Sequence, residues 1–439
     1  MFSIEILANY GRISIEVVVK HHLLLGGRKM DVSNVLNISR FNGDFGNSNN
    51  NFMVNGYYFE MLTNVAPISK QKAETYFVES VKEPKDLLKK MLISTTIDGE
   101  EQYFLVGEAA VSQTISNVHV KRMHDKIKSP IPYVSFLSAV AYYHALKGNK
   151  DSNEIDIEYM SMMLPIWLLK RESKFSVAQN KMADRFLKEH VVTVHTPGME
   201  RTLKINVKQA KCRIESEIAR HAIKYSMVKK DDNAKAITIE KRKSATQFEN
   251  SKVVLVDIGG GSTDAVALGV GLTPPTSRDS FKVIDIKPYL GNIEEFRTEK
   301  LIEQFSSLRS FENFIVKNYK EKTYKLKNEN NGEETDLTNQ ITEMLNEYAR
   351  LLVTQVLNEF IPASSDEVLK FIYFGGEAPI LDPYIKESLL KYMSEEAAQN
   401  NHFFLNDIIE EEDNEVFAPT ARTINLNALE LRSIDETKK

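Results

Sequence analysis

The chain has 439 residues, 42% apolar and 27% charged, which are ordinary proportions for a globular protein and enough for about three average domains or two larger lobes. Its 56 basic and 61 acidic residues leave a formal charge of −5, which excludes a global basic signature of nucleic-acid binding, so direct DNA contact is not expected. The single cysteine, Cys212, excludes an internal disulfide framework and reads as a structural thiol; with no apolar run of about twenty residues and no secretory pattern at the start, the expected address is cytoplasmic, away from membranes.

Residues 1–41 stand apart as an N-terminal extension of unassigned role. Residues 13–19 have strand-like composition, and Asn9-Tyr10-Gly11 is a turn without a carboxylate. Met30 is an alternative start; otherwise the segment covers a sheet edge or makes an assembly contact. Asp44-Phe45-Gly46-Asn47-Ser48-Asn49-Asn50-Asn51 follows, then residues 52–54 and 57–59 flanking Asn55-Gly56, a dipeptide that favours a two-residue hairpin. The pattern is strand, polar turn, strand, tight turn, strand, although such a polar run also suits a surface loop.

Residues 103–110 read as a short strand and turn, and residues 135–145 as a helix after Pro130 and Pro132. Residues 160–169 read as an apolar strand broken by Pro165, and residues 173–190 return to helical periodicity. A strand at 205–207 leads to Ile214-Glu215-Ser216-Glu217, where both carboxylates suit the positive end of a helix. Residues 229–251, with Lys229-Lys230-Asp231-Asp232 and Lys241-Arg242-Lys243, read as an exposed insertion or hairpin, the basic triplet being a solvated face.

The most informative run is Val253-Val254-Leu255-Val256-Asp257-Ile258-Gly259-Gly260-Gly261-Ser262-Thr263-Asp264. Its first four residues suit a strand covered on both faces. Three glycines allow a tight turn whose N–H groups converge on phosphate oxygens, and Ser262 and Thr263 add donors. Asp257, at the strand's end, suits a magnesium ion that keeps most of its waters. An ordinary glycine hairpin beside a core strand is the bland alternative. Beyond it, a turn at residues 289–292 precedes a helix over 293–305, and residues 328–339 form a polar loop between helices. Residues 371–374 are a strand ending in Gly375-Gly376-Glu377, with Pro379 opening a helix; a strand-to-helix turn without a ligand is the alternative. Residues 410–413 are an acidic loop. The alternation of elements predicts mixed α/β layers.

In this order, the motifs resemble the actin-like ATPase superfamily of actins, heat-shock chaperone ATPase domains and sugar kinases, and most of all ParM-type bacterial plasmid-segregation actins. The resemblance runs over about residues 42–430, with Ala421-Arg422-Thr423 similar to the segment that returns to the first lobe. It implies a two-lobed fold of duplicated ribonuclease H-like domains. The first lobe is expected over 42–215, completed by 416–435, and the second over 216–415.

The resemblance also implies roles. Gly46, Asn47, Ser48, Asn49 and Asn51 form one phosphate loop and Gly259, Gly260, Gly261, Ser262 and Thr263 the other. Asp44 and Asp257 hold Mg²⁺ through water, and Glu215 acts as base toward the attacking water. Gly375, Gly376 and Glu377 face adenosine, and Gly291, Arg297 and Lys300 approach ribose or base. Asn51 stands where the family often carries Lys or Arg, so either the charge comes from elsewhere or nucleotide affinity is lower. The implied function is an ATPase, with GTP as an alternative nucleotide, that polymerises into dynamic filaments for plasmid partition through a DNA-binding adaptor protein. A weakly hydrolysing nucleotide-dependent scaffold and a metabolic kinase of the same fold are the competing readings.

Overall fold

In a computed structural model the described residues are 35–111, 125–148, 152–229, 237–361, 368–409 and 414–438. Val35–Lys439 form one unit. Residues 1–34, most of the expected extension, lie outside the described residues, as does the acidic loop at 410–413. Val35–Ile38, counted with the extension from sequence, is a strand paired in parallel with Glu154–Ile157 at the edge of a seven-stranded sheet.

The polar turn after Asp44 and the Asn55-Gly56 pair fold the chain into the expected meander of Phe41–Phe45, Asn49–Val54 and Tyr57–Leu62. Both turn residues take positive φ, 49° and 80°, as a two-residue hairpin requires. On its other side Phe41–Phe45 pairs in parallel with Met160–Leu164, itself parallel to Ala210–Ile214. A second five-stranded sheet repeats this plan. Lys252–Ile258 is central, antiparallel to Thr263–Leu268, which runs antiparallel to Phe281–Val283; across the centre lie the parallel strands Leu369–Phe374 and His402–Phe404. Each central strand carries its aspartate, Asp44 or Asp257, one residue before its end. The same strand order twice is the duplicated core that the motif order implies. Residues 253–258 and 371–374 are buried throughout, as strands covered on both faces must be.

The C-terminal helix Ile424–Thr437 packs on the first sheet. Buried Glu430 accepts from Arg40 Nη2 (2.8 Å) and Asn42 Nδ2 (2.6 Å), and Ser433 Oγ donates to Asn42 Oδ1 (2.6 Å). One apolar cluster, including Met163, Ile166, Leu255, Ile372 and Leu429, is continuous from the end of Met160–Leu164 to the second sheet, so the two sheets share a core beneath the cleft between them.

Several local expectations change. Pro165 ends the strand Met160–Leu164 and caps a short helix, Ile166–Lys170, because the ring removes the N–H that a continuing ladder needs. Helical periodicity stops at Asp184, and Glu189–Val194 is a strand of the seven-stranded sheet. The helix placed at 293–305 runs Tyr289–Lys300, followed by Leu308–Asn318 behind a Ser307 capping box. The polar stretch near 330 carries a small hairpin of Lys325–Lys327 and Glu334–Asp336. The insertion near 230 is indeed a hairpin, Tyr225–Lys229 with Ile237–Lys241, residues 230–236 lying outside the described set. Its basic triplet is not all solvated: Arg242 is 1% exposed, donates Nε to Ala222 O (2.8 Å) and forms a bidentate pair with Glu415.

Candidate functional site

Both central strands point their C-terminal ends into one cleft, and the turn after each forms a wall. On one side the lining residues are Asp44, Gly46, Asn47, Ser48, Asn49 and Asn51; opposite are Asp257, Gly259, Gly260, Gly261, Ser262 and Asp264. Glu215 and Lys126, paired at 3.3 Å, also line it, as do Pro165 and Trp167 and, from the later segments, Gly375, Gly376, Glu377, Ala421, Arg422 and Asn425.

The turns are locked to each other. Asn47 packs so closely on Gly261 that a Cβ there would sit 1.8 Å from its Nδ2, so a larger residue would push the Asn47 side chain aside. Ser48 Oγ donates to Glu312 Oε1 (2.8 Å) on the helix Leu308–Asn318, and Arg309 Nη2 donates to Ser48 O (3.1 Å). Gly375 has φ +102°, and a Cβ would meet Asp257 Oδ1 at 2.5 Å. Glycine therefore lets the Leu369–Phe374 strand turn directly over the aspartate.

The carboxylates are crowded. Asp257 Oδ2 accepts from Asn425 Nδ2 (2.8 Å) and Ser216 Oγ (3.2 Å), with Ser216 held at φ 68°. Burial first, and Glu215 second, push the Asp257 carboxyl up to about 7. Asp44 is likewise pushed up to about 7 by burial and by Glu215, against Lys126 and a hydrogen bond from Asn51. Asp264, opposite Asp257 in the hairpin, accepts the Ile166 N–H at Oδ2 (3.1 Å) while its buried Oδ1 has no hydrogen-bond partner among the described residues. Burial and the neighbouring carboxylates raise it well above the usual range. Glu377 is pushed up to about 8 by burial, then by Glu312, with Arg422 and Arg309 opposing. The cleft is thus short of positive charge, the electrostatic condition in which a hydrated divalent cation binds. No three His, Cys, Asp or Glu side chains among the described residues cluster to ligate a metal directly.

Of the residues picked out in the sequence, the two loops, Asp44, Asp257, Glu215, Gly375, Gly376 and Glu377 come together around this cleft. Thr263 does not line it; it is buried beside Tyr348. Gly291 lies within the helix Tyr289–Lys300, because Pro288 already occupies the cap. Arg297 is pinned by Glu294 (2.8 and 3.0 Å) and Phe305 O (2.8 Å), and Lys300 lies in a separate hollow with Asn292, Phe296 and Glu343. Lys126, Asp264, Ser216, Asn425 and Arg422 were not picked out. Asp264 was within reach: a four-residue turn over 259–262 pairs Ile258 with Thr263 and so Asp257 with Asp264. Cys212 is buried, and burial raises its thiol, as a structural role requires.

The family model that matches is that of the Alp7A C-terminal domain, over residues 252–408. The crystal structure of actin-like protein Alp7A is 43% identical, with a TM-score of 0.79 over 92% of this chain and 97% of that one. The chain belongs to the Alp7A family of actin-like proteins. Members of the wider fold are more distant. ParM of Bacillus thuringiensis with AMPPNP shares 13% identity and a TM-score of 0.57, covering 90% of this chain and 98% of that one. A 15-stranded ParM filament from Clostridium botulinum shares 12% and 0.58, with 90% and 99% covered. No curated protein sequence matches. Across the Alp7A-like region the second glycine turn, the Gly375-Gly376 turn and the helices between them all fall within the matched residues. No helix among the described residues is long and apolar enough to cross a membrane.

Proposed function

We propose that this protein binds and hydrolyses ATP between its lobes and polymerises into filaments that segregate plasmid DNA. The observation that carries the reading is the pair of glycine turns, from two sheets of identical strand order, that meet over Asp44, Asp257 and Glu215 in one cleft. The lobes would comprise residues 42–215 with 416–435, and 216–415. B. thuringiensis ParM bound to ATP, at 14% identity and a TM-score of 0.56, and the C. botulinum filament support nucleotide and self-association as the ligands to test. The acidic net charge suits a basic DNA-binding adaptor rather than DNA itself. A cytoplasmic address follows from that role.

In this mechanism the backbone N–H groups of both turns cradle the phosphates and meet the charge that develops on the transferred group. Asp44 and Asp257 would hold Mg²⁺ through water, which would neutralise phosphate charge. Glu215, which lines the cleft beside Lys126, would hold the attacking water and accept its proton as the oxygen bonds to the terminal phosphorus and the bond from that phosphorus to the departing diphosphate breaks. The triphosphate bridges walls that belong to different sheets, so hydrolysis releases the bridge and couples to lobe movement.

Purified protein with Mg-ATP should show prompt light scattering with phosphate release. Glu215→Ala should slow release by about 100-fold, the usual worth of a positioned base, while assembly persists. Turnover that requires a second substrate, without assembly, would instead mark a kinase, and equal turnover in variant and parent removes Glu215 from the chemistry.

A further inference from the structure

Lys126 reaches the cleft from the turn just before the helix Pro130–Lys147, and only 4% of the residue is exposed. Its Nζ lies 3.3 Å from Glu215 Oε2. It shares the cleft with Asp44, Asp257 and Asp264, and Arg422 is the other cation among the described lining residues. A buried ammonium persists only where carboxylates face it, so this amine belongs to the acidic lining of the cleft. The first loop, by contrast, brings no cation. Asn51 lies directly opposite Asp44 in the antiparallel pair, hydrogen-bonds its carboxylate, and accepts from Tyr58 OH (3.2 Å). Its amide is therefore committed to holding Asp44.

We propose that Lys126 supplies the positive charge that the first loop lacks: it binds the terminal phosphate of a nucleoside triphosphate, and without that phosphate it pairs with Glu215. The proposal rests on the triphosphate reading of the cleft. An ammonium on a four-carbon stem is a mobile point charge with three donors, suited to exchange one oxyanion for another without backbone movement. A terminal phosphate carries more charge than one carboxylate and takes the ammonium away from Glu215. The released carboxylate is then free to hold water, so the base is engaged only when its substrate is present. A diphosphate lacks the terminal group, leaves the Lys126–Glu215 pair intact, and gains nothing from it. Lys126 thus sets the preference for triphosphate over diphosphate.

The test compares AMPPNP and ADP affinities, with Mg²⁺, in the parent, Lys126→Met, Lys126→Arg and the double variant Lys126→Met with Asn51→Lys. Lys126→Met should weaken AMPPNP by about tenfold or more while ADP changes by less than about threefold, which erases the preference. Asn51→Lys, placing the cation beside Asp44, should restore much of the lost AMPPNP affinity, and Lys126→Arg should keep most of it. Equal change for both nucleotides in Lys126→Met, or an Lys126→Arg loss as large as that of Lys126→Met, overturns the assignment. ADP affinity reports that each variant is folded. A parent that binds neither nucleotide refutes the triphosphate reading itself, and that result appears before any variant is compared.

Discussion

Asp44 and Asp257 show how a site can oppose the stability of the fold that carries it. Each carboxyl is held up to about 7 against an ordinary value of 3.8, so between those values the folded chain binds more protons than the unfolded one. The stability these groups contribute therefore falls as pH rises from about 4 to about 7. Buried His190, His402 and His221, held down to about 4, about 4 and about 3, slope the other way below their ordinary value of 6.5. The aspartate effect is consequently read as a difference. Asp257→Asn should gain on the parent by roughly 1–3 kcal/mol between pH 5 and pH 8 in denaturant unfolding without ligand. A pH-independent difference would mean that Asp257 titrates as an exposed carboxyl. At this scale the sequence was readable where the signal is local: an aspartate at a strand's end followed by glycines could be placed beside its turn, and both such aspartates line the cleft. Lys126 was not readable, because it lies 89 positions before Glu215 in an otherwise plain turn and nothing in its neighbours marks it as facing the cleft.

At the scale of elements, the glycine turns were legible because strand, turn and strand are adjacent in sequence, whereas what holds the turns together is not. Ser48 meets Glu312 across 264 positions, and the helix Leu308–Asn318 looks from its sequence like any amphipathic helix. Similarly, the helix start at Tyr289, behind the Pro288 cap and four residues before the expected start at 293, displaces Gly291 from the turn that the motif suggested. The Ser48–Glu312–Arg309 contacts tie the first loop to the far wall, and Glu312, 6% exposed, holds Arg309 Nη1 at 3.1 Å as well. Hydrogen bonds to charged groups are worth about 1.5–3 kcal/mol each, so Glu312→Ala should loosen the hold of the far wall on the first loop substantially. Release of a fluorescent ATP analogue, followed by stopped flow, should be faster by about tenfold or more. Unchanged release would show that the first loop is held by Asn47 and the backbone alone.

For the whole molecule, the repeated strand order sets one turn of each sheet on either side of the cleft, so a triphosphate bound as proposed would touch both walls. Length and composition allowed two lobes or three domains; the choice came from motif order, and the shared core below the cleft emerged only in three dimensions, from residues as far apart as Met163 and Leu429. A ligand held by both walls must stabilise the entire fold, by about 2.7 kcal/mol at a concentration one hundred times its dissociation constant. Mg-ATP should therefore raise the melting temperature of the parent by several degrees, roughly as that free energy implies for a large chain. Asp44→Ala and Asp257→Ala should each abolish the increment, because each removes a carboxylate proposed to hold the metal. Both variants should nevertheless melt, without ligand, no lower than the parent near pH 8, since each relieves the crowding that raises the remaining carboxylates. Loss of the increment in Asp257→Ala alone would remove Asp44 and its turn from the site. Retention in both would mean that the glycine turns bind without a metal-facing carboxylate.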